Sequence, residues 1–214
     1  PGYRSGCMDS TKAGDESLIF QGKQTGFTIS DFWRWGFSDL LDNVLRGTYC
    51  EFVVGAALGV DLSTGRTNWS PWDITFPYAW EDAAGRHDII RVEVKNSSYL
   101  QSWNEGKLSK ISFGIAPKET TDPAYGTIGE KKRQSDVYVL CHYKAQDRAT
   151  ADPLVLDDWD FYVVSTKVLD KVCAGQKSIG LTSLQGLCHI KTDFSGIKDS
   201  VIRCATGLDF WQNP

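Results

Sequence analysis

The clearest alternation of apolar and polar residues lies in the segment IIRVEVK, residues 89–95. Alternate residues of a β-strand point to opposite faces of a sheet, so this segment predicts a strand with one apolar and one charged face. The apolar row consists of Ile90, Val92 and Val94, and the charged row of Arg91, Glu93 and Lys95. A charged row of this kind is either exposed to solvent or part of a functional site.

Helical spacing of apolar residues follows Ser30 and Asp31, either of which can cap a helix. The apolar side of this predicted helix consists of Phe37, Leu40, Leu41, Val44 and Leu45. Gly47 and Thr48 are expected to interrupt it. A second helix is predicted next, and Gly59 suits its C-terminal end. Its apolar stripe consists of Phe52, Val53, Ala56 and Ala57.

Four aromatic residues cluster at the start of the first predicted helix. They are Phe32, Trp33, Trp35 and Phe37. Such rings can stack on nucleobases, as in proteins that bind single strands. Clusters of this kind more often pack in a protein interior, and core packing is the favoured interpretation.

The rest of the chain predicts further strands and a final helix. The strand segments are WSPWDITFP, KISFGIA, DVYVLCHY, WDFYVVST and KSIGLTSL, and the helix has Ile197, Val201 and Ile202 as its apolar side. Residues 118–133 are charged and contain glycine, so they predict a loop. This order of elements indicates an α/β fold with a mixed central β-sheet flanked by helices.

The charge balance limits the classes of partner. A net charge of −4 and a pI near 5.4 argue against a protein that coats nucleic acid with a strongly basic surface. A metal-dependent nuclease is not excluded, because a metal site is itself acidic. No apolar run approaches the about 18 residues needed to cross a bilayer, and no signal segment stands at the start. These features predict a cytoplasmic protein with no membrane partner.

The cysteines are scattered along the chain. They are Cys7, Cys50, Cys141, Cys173, Cys188 and Cys204. None forms a CxxC pair, and none has the spacing to histidine that is typical of a zinc finger. The pattern predicts buried thiols in a reduced protein and argues against structural zinc or an iron–sulfur cluster.

Asp73, Glu93 and Lys95 supply the residue types that metal-dependent phosphodiester hydrolysis needs. Magnesium prefers oxygen ligands and keeps several waters, so two carboxylates and a backbone carbonyl suffice. A nearby lysine can orient or deprotonate the attacking water, or balance the developing negative charge. Glu93 and Lys95 are two residues apart on one predicted strand, so their side chains share a face.

The Glu-x-Lys spacing is weak evidence alone, because about one match is expected by chance in a chain of this length. The matches are Glu93/Lys95, Glu105/Lys107 and Glu130/Lys132. Only the first lies in a β-branched strand with an aspartate on the strand before it. A simple ion pair between Glu93 and Lys95 is the alternative interpretation. Asp88 is a further acidic candidate, although a capping role at the turn after Gly85 is favoured.

The segments WDI and IIRVEVKNSSYLQSW together resemble the PD-(D/E)XK nuclease superfamily. In that superfamily an aspartate on one strand of a hairpin and an acidic-x-lysine triplet on the next form the metal site. The proline of the motif is Pro71 here, separated from Asp73 by Trp72. The segment FWRWGFSDLLDNVLRGTYCEFVVGAALG resembles the helical element that often contributes a glutamate. The resemblance covers about residues 27–165, and the segments FWRWGFSDL, EVKNSSYLQSW and DDWDFYVVST are similar to bacterial members without an assigned function.

The resemblance implies a role for each matching residue. The implied metal ligands are Asp73, Glu93, the Val94 carbonyl and, as an accessory ligand of metal or water, Glu51. Lys95 would act on the attacking water. Gln101 matches a glutamine that some branches place after the lysine, where it touches substrate or water. The implied cofactor is Mg²⁺, with Mn²⁺ as an alternative. Without the resemblance, Glu51 would be interpreted as a glutamate facing solvent.

These observations lead to a functional hypothesis. Residues 30–165 would form a restriction endonuclease-like nuclease core, preceded by a lead-in at 1–29 and followed by an extension at 166–214 packed on the same domain. We expect magnesium-dependent hydrolysis of nucleic acid, with DNA favoured, in restriction, defence or DNA processing. The alternative is a catalytically inactive nuclease-fold module that binds nucleic acid or protein partners, which the acidic composition favours and the intact site opposes. A homodimer would suit double-strand cutting, although no feature of the sequence indicates one.

Overall fold

The computed structural model describes residues 11–66, 70–104, 106–122, 127–187 and 189–207. The strands are β1 (Ser17–Phe20), β2 (Lys23–Thr28), β3 (Ile74–Asp82), β4 (Gly85–Ser98), β5 (Ser112–Gly114), β6 (Lys118–Asp122), β7 (Thr127–Lys132), β8 (Val137–Tyr143), β9 (Trp159–Ser165), β10 (Ser178–Gly180) and β11 (Ile190–Thr192). The helices are α1 (Ile29–Gly36), α2 (Asn43–Leu58), α3 (Thr166–Val172), α4 (Leu181–Gln185) and α5 (Ile197–Thr206).

A five-stranded sheet with the order β11-β9-β8-β4-β3 forms the centre of the described part of the chain. β4 and β8 run parallel, and the other neighbouring strands of this sheet run antiparallel. Smaller antiparallel pairs are formed by β1 with β2, β5 with β10 and β6 with β7. The predicted α/β fold with a mixed central sheet flanked by helices is confirmed.

Each face of the central sheet has its own buried apolar cluster. The first cluster packs α2 and α5 against the sheet and includes Ile90, Val92 and Val94, the predicted apolar row of β4. The second cluster lies on the opposite face and includes residues of α3, α4, β5 and β10. Glu93 pairs in register with Tyr138, a member of the second cluster. The charged row of β4 therefore points to the second face of the sheet.

The break between the first two helices differs from the prediction. Residues 37–42 separate α1 from α2, although the apolar spacing predicts one helix across them. The Asp42 carboxylate accepts hydrogen bonds from the backbone N–H groups of Val44 and Leu45. This N-terminal cap starts α2 at Asn43 and outweighs the helical spacing of the apolar residues.

α2 continues through Gly47 and Thr48, where an interruption was predicted. A Cβ atom at Gly47 would lie 3.2 Å from Asn96 Nδ2, so this glycine allows α2 to approach β4 closely. Gly59 follows the helix with a φ of 73°, which confirms its predicted role as the C-terminal cap. Of the helices in the described ranges, none has both the length and the apolar character needed to cross a bilayer.

The aromatic residues of the first helical segment are not core residues, so that prediction is wrong. Phe32, Trp33, Trp35 and Phe37 are between 39% and 85% exposed. The backbone N–H of Ser30 donates to the Gly14 carbonyl, which holds α1 against the residues that precede β1. The spacing of the rings shows which residues share a helix face, but another element must cover that face before it becomes core.

Residues 118–122 and 127–132 pair as the antiparallel strands β6 and β7, so the predicted loop is wrong as well. A cross-strand ion pair joins Lys131 to Glu119 at 3.7 Å. Arg133 follows the hairpin and is 7% exposed, and its guanidinium donates to Asp170 Oδ1 at 2.6 Å and to the Cys173 carbonyl at 2.9 Å. Strand pairing and this buried anchor order a segment whose composition is typical of a loop.

The predicted buried thiols agree with the structure wherever it describes them. The described cysteines are Cys50, Cys141, Cys173 and Cys204, and all are buried free thiols. Burial raises the pKa of the Cys141 thiol well above its ordinary value, which makes it unreactive. Cys7 and Cys188 lie outside the described residues, as does Glu105 of the second Glu-x-Lys match.

His142 on β8 predicts a pH dependence of stability. It is 4% exposed, it lies edge-on to Tyr99 at 5.2 Å, and within the described residues neither ring nitrogen has a hydrogen-bond partner. Burial lowers its pKa, so below about pH 6.5 the unfolded chain binds this proton more readily than the folded protein. The contribution of neutral His142 is therefore present above that pH and is lost as the pH falls.

We expect the free energy of unfolding to be about 1 kcal/mol lower at about pH 5.5 than at about pH 7.5 because of this group. Urea unfolding of the wild type and of His142→Phe at both pH values measures the effect. The phenylalanine keeps an aromatic ring beside Tyr99 but cannot titrate. An equal pH dependence in the two proteins would show that His142 is not the cause.

Candidate active site

Oxygen atoms of three predicted metal ligands lie around the ammonium group of Lys95. Lys95 Nζ lies 2.6 Å from Glu93 Oε1, 3.0 Å from the Val94 carbonyl oxygen and 3.5 Å from Asp73 Oδ2. Three oxygen atoms of the predicted metal site thus surround a single positive charge. The convergence of Asp73, Glu93 and Lys95 that the sequence predicts is present in the structure.

The relative lengths of β3 and β4 place these groups. Ile74 is the first residue of β3 and pairs with Val92, so β4 extends beyond its neighbour from Glu93 onward. Asp73 lies just before β3, and its carboxylate accepts a hydrogen bond of 2.7 Å from the Val94 N–H. This bond satisfies a backbone donor that has lost its strand partner. It also fixes the Asp73 carboxylate beside the ends of Glu93 and Lys95.

Glu93 is a buried carboxylate held between two ammonium groups. The residue is 2% exposed, and its Oε1 atom lies 2.6 Å from both Lys95 Nζ and Lys118 Nζ. A buried carboxylate is costly unless it is paired, so the two lysines stabilise the charged form. Lys118 comes from β6, in the segment predicted to be a loop. Its presence beside Glu93 depends on the long-range fold, and the sequence gives no local signal for it.

Opposing effects act on the pKa of Lys95. Burial alone would lower it, but the negative charges of Glu93 and Asp73 and their hydrogen bonds outweigh burial, so the pKa is raised. Lys95 is therefore an ammonium at neutral pH. In this state it can donate hydrogen bonds and stabilise negative charge, but it cannot accept a proton from water.

The oxygen atoms around Lys95 form a set that suits a hard divalent cation. Two carboxylates and one backbone carbonyl match the ligands that magnesium prefers, and magnesium usually keeps several waters. Among the residues that the structure describes, no three side chains of His, Cys, Asp or Glu converge as a metal site. The carbonyl of Val94 is therefore needed to complete three protein ligands.

Glu51 lies on α2 and is engaged by a partner that the sequence did not reveal. Its two carboxylate oxygens lie 2.5 Å and 2.8 Å from the Nε and Nη2 atoms of Arg66. Glu51 and Asp73 line the same cleft, so the predicted accessory ligand borders the site but is not among the oxygens around Lys95. The hydrogen bond and charge of Glu51, together with the charge of Asp73, raise the pKa of Arg66.

Gln101 belongs to a different group of contacts. Its Oε1 atom accepts a hydrogen bond of 3.0 Å from Arg46, and its Nε2 atom donates to the Ser98 carbonyl at 3.2 Å. Both ends of its side-chain amide are thus committed to structure. The structure does not bring Gln101 into the set around Lys95.

The other acidic candidates lie away from this set. Asp88 is on β4, its side chain is 78% exposed, and it pairs with Arg86 at 3.2 Å. The turn between β3 and β4 is capped by Asp82 instead, whose Oδ1 atom accepts from the Ala84 N–H. Glu130 is exposed on the β6–β7 hairpin. In the Glu93/Lys95 match, the lysine also lies near a second carboxylate, that of Asp73.

Comparison with known proteins adds one finding. A model of the family described as bacteriophage T4 endonuclease IV matches residues 36–182, about two-thirds of the chain. The matched range contains all the residues around Lys95 as well as the Glu51–Arg66 pair. No curated protein and no solved structure matches the chain significantly.

Proposed function

The chain belongs to the bacteriophage T4 endonuclease IV family, and from this premise we propose that it is a metal-dependent endonuclease that hydrolyses phosphodiester bonds in DNA. Membership makes it a nuclease whose substrate class is nucleic acid. The proposal adds the metal, the choice of DNA and an active site of PD-(D/E)XK type. Restriction, defence or DNA processing is the proposed setting.

One observation carries the proposal. Asp73 Oδ2, Glu93 Oε1 and the Val94 carbonyl oxygen all lie within 3.5 Å of Lys95 Nζ. A surface ion pair between Glu93 and Lys95 would need neither a third oxygen nor burial of Glu93. The arrangement instead resembles an acidic pocket that holds a cation and keeps a lysine beside it.

The chemistry follows from these groups. Bound Mg²⁺, or Mn²⁺, would activate a water and polarise the scissile phosphate. Asp73, Glu93 and the Val94 carbonyl would hold the cation, and the Lys95 ammonium would donate a hydrogen bond to the attacking water and orient it. The ammonium of Lys118 would add positive charge where negative charge develops on the phosphate. Glu51 would assist as an accessory ligand once it is released from Arg66.

The test is a cleavage assay on plasmid DNA, single-stranded DNA and RNA with Mg²⁺, Mn²⁺ or EDTA. We expect DNA cleavage with either metal and none with EDTA. A preparation of Lys95→Ala, purified in the same way, detects contaminating nucleases. Metal-independent cleavage would contradict the proposed mechanism, and DNA binding without any cleavage would favour the inactive module instead.

A graded effect is expected at Glu51. Glu51→Gln removes the charge of an accessory ligand but leaves the oxygens around Lys95 in place, so the cleavage rate should fall about tenfold. Asp61→Asn is the matched control, because Asp61 lines the same cleft and its carboxylate accepts from the backbone and side chain of Ser63. Initial rates at saturating Mg²⁺ measure both variants. Equal rates for Glu51→Gln and the wild type would remove Glu51 from the site.

A further inference from the structure

A cleft opens directly beside the candidate active site. It has a volume of about 870 Å³ and lies between the C-terminal end of α2, the loop at residues 59–66 and the first half of β3. Asp73 and Glu51 line one part of it, and Lys198 of α5 lines another. A nucleic acid strand that is bound at Asp73 would therefore extend into this cleft.

The carboxylates that line the cleft already have partners. Glu51 is paired with Arg66, and Asp73 accepts from the Val94 N–H and lies near Lys95. Asp61 accepts from the backbone and side chain of Ser63. Glu51 and Asp73 are therefore balanced by basic side chains, whereas Asp61 keeps its negative charge.

Lys198 is the contrasting group. Its Nζ atom lies 5.6 Å from the centre of the Phe76 ring, and the residue is exposed. Within the described ranges, no carboxylate lies at ion-pair distance from this ammonium. A contact with an aromatic ring at an exposed site is weak and leaves the charge available for a ligand.

We propose that this cleft binds the DNA strand next to the scissile phosphodiester, with Lys198 and Arg66 contacting its phosphate oxygens. The inference rests on the proposed function, because it takes the chemistry at Asp73 as the end of the same binding path. Ammonium and guanidinium groups are the side chains that bind phosphate best. Arg66 lines the same cleft, and the release of Glu51 toward the metal would leave its guanidinium for a phosphate oxygen.

The experiment measures binding of a short fluorescein-labelled DNA oligonucleotide by anisotropy in EDTA, with single-stranded and duplex forms. Each lost phosphate contact should weaken binding by about fivefold to tenfold at about 0.1 M salt and reduce the slope of log K against log salt by about 1. We expect this for Lys198→Gln and for Arg66→Gln. The control is Lys171→Gln, which removes the same charge from α3, outside the residues that line the cleft.

The outcomes separate this inference from the proposed function. If Lys198→Gln and Lys171→Gln bind DNA equally and the wild type still cleaves, the DNA-binding role of the cleft is wrong. The proposed nuclease activity is then unaffected. If Lys198→Gln binds DNA more weakly but the wild type does not cleave, the DNA-binding role of the cleft is supported. The catalytic proposal is then wrong. An unchanged salt slope in both cleft variants also overturns the inference, because it means that no phosphate contact was lost.

Discussion

Replacement of Lys95 by alanine is expected to lower the rate of DNA cleavage by about 10²–10⁴-fold. The raised pKa keeps Lys95 charged, and its ammonium contacts three oxygens of the proposed metal site. Loss of this group removes the hydrogen bond that orients the attacking water and the charge that stabilises the transition state. Single-turnover cleavage at saturating Mg²⁺ measures the loss.

Metal binding distinguishes a catalytic role of Lys95 from a structural one. The ammonium lies between Asp73 and Glu93, so its removal relieves competition for these carboxylates, and Mn²⁺ affinity measured by calorimetry should stay equal or rise. Lys118 still neutralises Glu93 in this variant, so the fold should persist, and thermal unfolding checks it. Lys144→Ala is the control, because Lys144 pairs with Asp160 outside the site. A cleavage rate within about threefold of the wild type would exclude Lys95 from the chemistry.

The second large effect is expected at Arg46, whose replacement should strongly lower the free energy of unfolding. The residue is fully buried, and its side chain donates to five acceptors. The acceptors are the Leu41 and Leu100 carbonyls and the side-chain oxygens of Asn43, Asn96 and Gln101. Burial lowers the pKa of this guanidinium, and none of its five acceptors is a carboxylate.

Arg46→Lys should lower the free energy of unfolding by about 3–5 kcal/mol. An ammonium has too few donors for five acceptors, and it does not reproduce the planar fork that joins α2 to the end of β4. Urea unfolding measures the loss. Arg34→Lys is the matched control, because Arg34 is an exposed arginine of α1 whose replacement should change stability by less than about 0.5 kcal/mol. A loss below about 1 kcal/mol for Arg46→Lys would mean that the network is dispensable.

The sequence predicts the parts of the site that depend on local pattern. Period-two alternation identifies β4 and places Glu93 and Lys95 on one face, and a strand hairpin brings Asp73 to them. Lys118 and Arg66 were missed because each meets its carboxylate through tertiary structure, and neither stands in a pattern that marks it. The predicted role of Gln101 depends only on its spacing after Lys95. Its contacts with Arg46 and Ser98 are structural.

Hydrophobic spacing likewise predicts part of the fold. Strand and helix types follow from hydrophobic spacing, which predicts the mixed sheet flanked by helices. The break before α2 follows from the side chain of Asp42, a competing local interaction that apolar spacing does not report. The exposed rings of α1, such as Trp35, show the remaining gap: a stripe of apolar residues identifies a face, but only the complete fold decides what covers it.

The hairpin between β3 and β4 has a consequence for how the site forms during folding. Two residues connect these strands, so the loop-closure entropy of pairing them is small, and Asp73 can reach Val94 early. The parallel pairing of β4 with β8 must instead enclose the whole segment 99–136, which is a slower kind of contact to form. Lys118 lies within that segment. The β3–β4 hairpin thus brings the carboxylates of Asp73 and Glu93 together locally. Lys118, the second ammonium that neutralises Glu93, reaches it through the long-range pairing of β4 with β8.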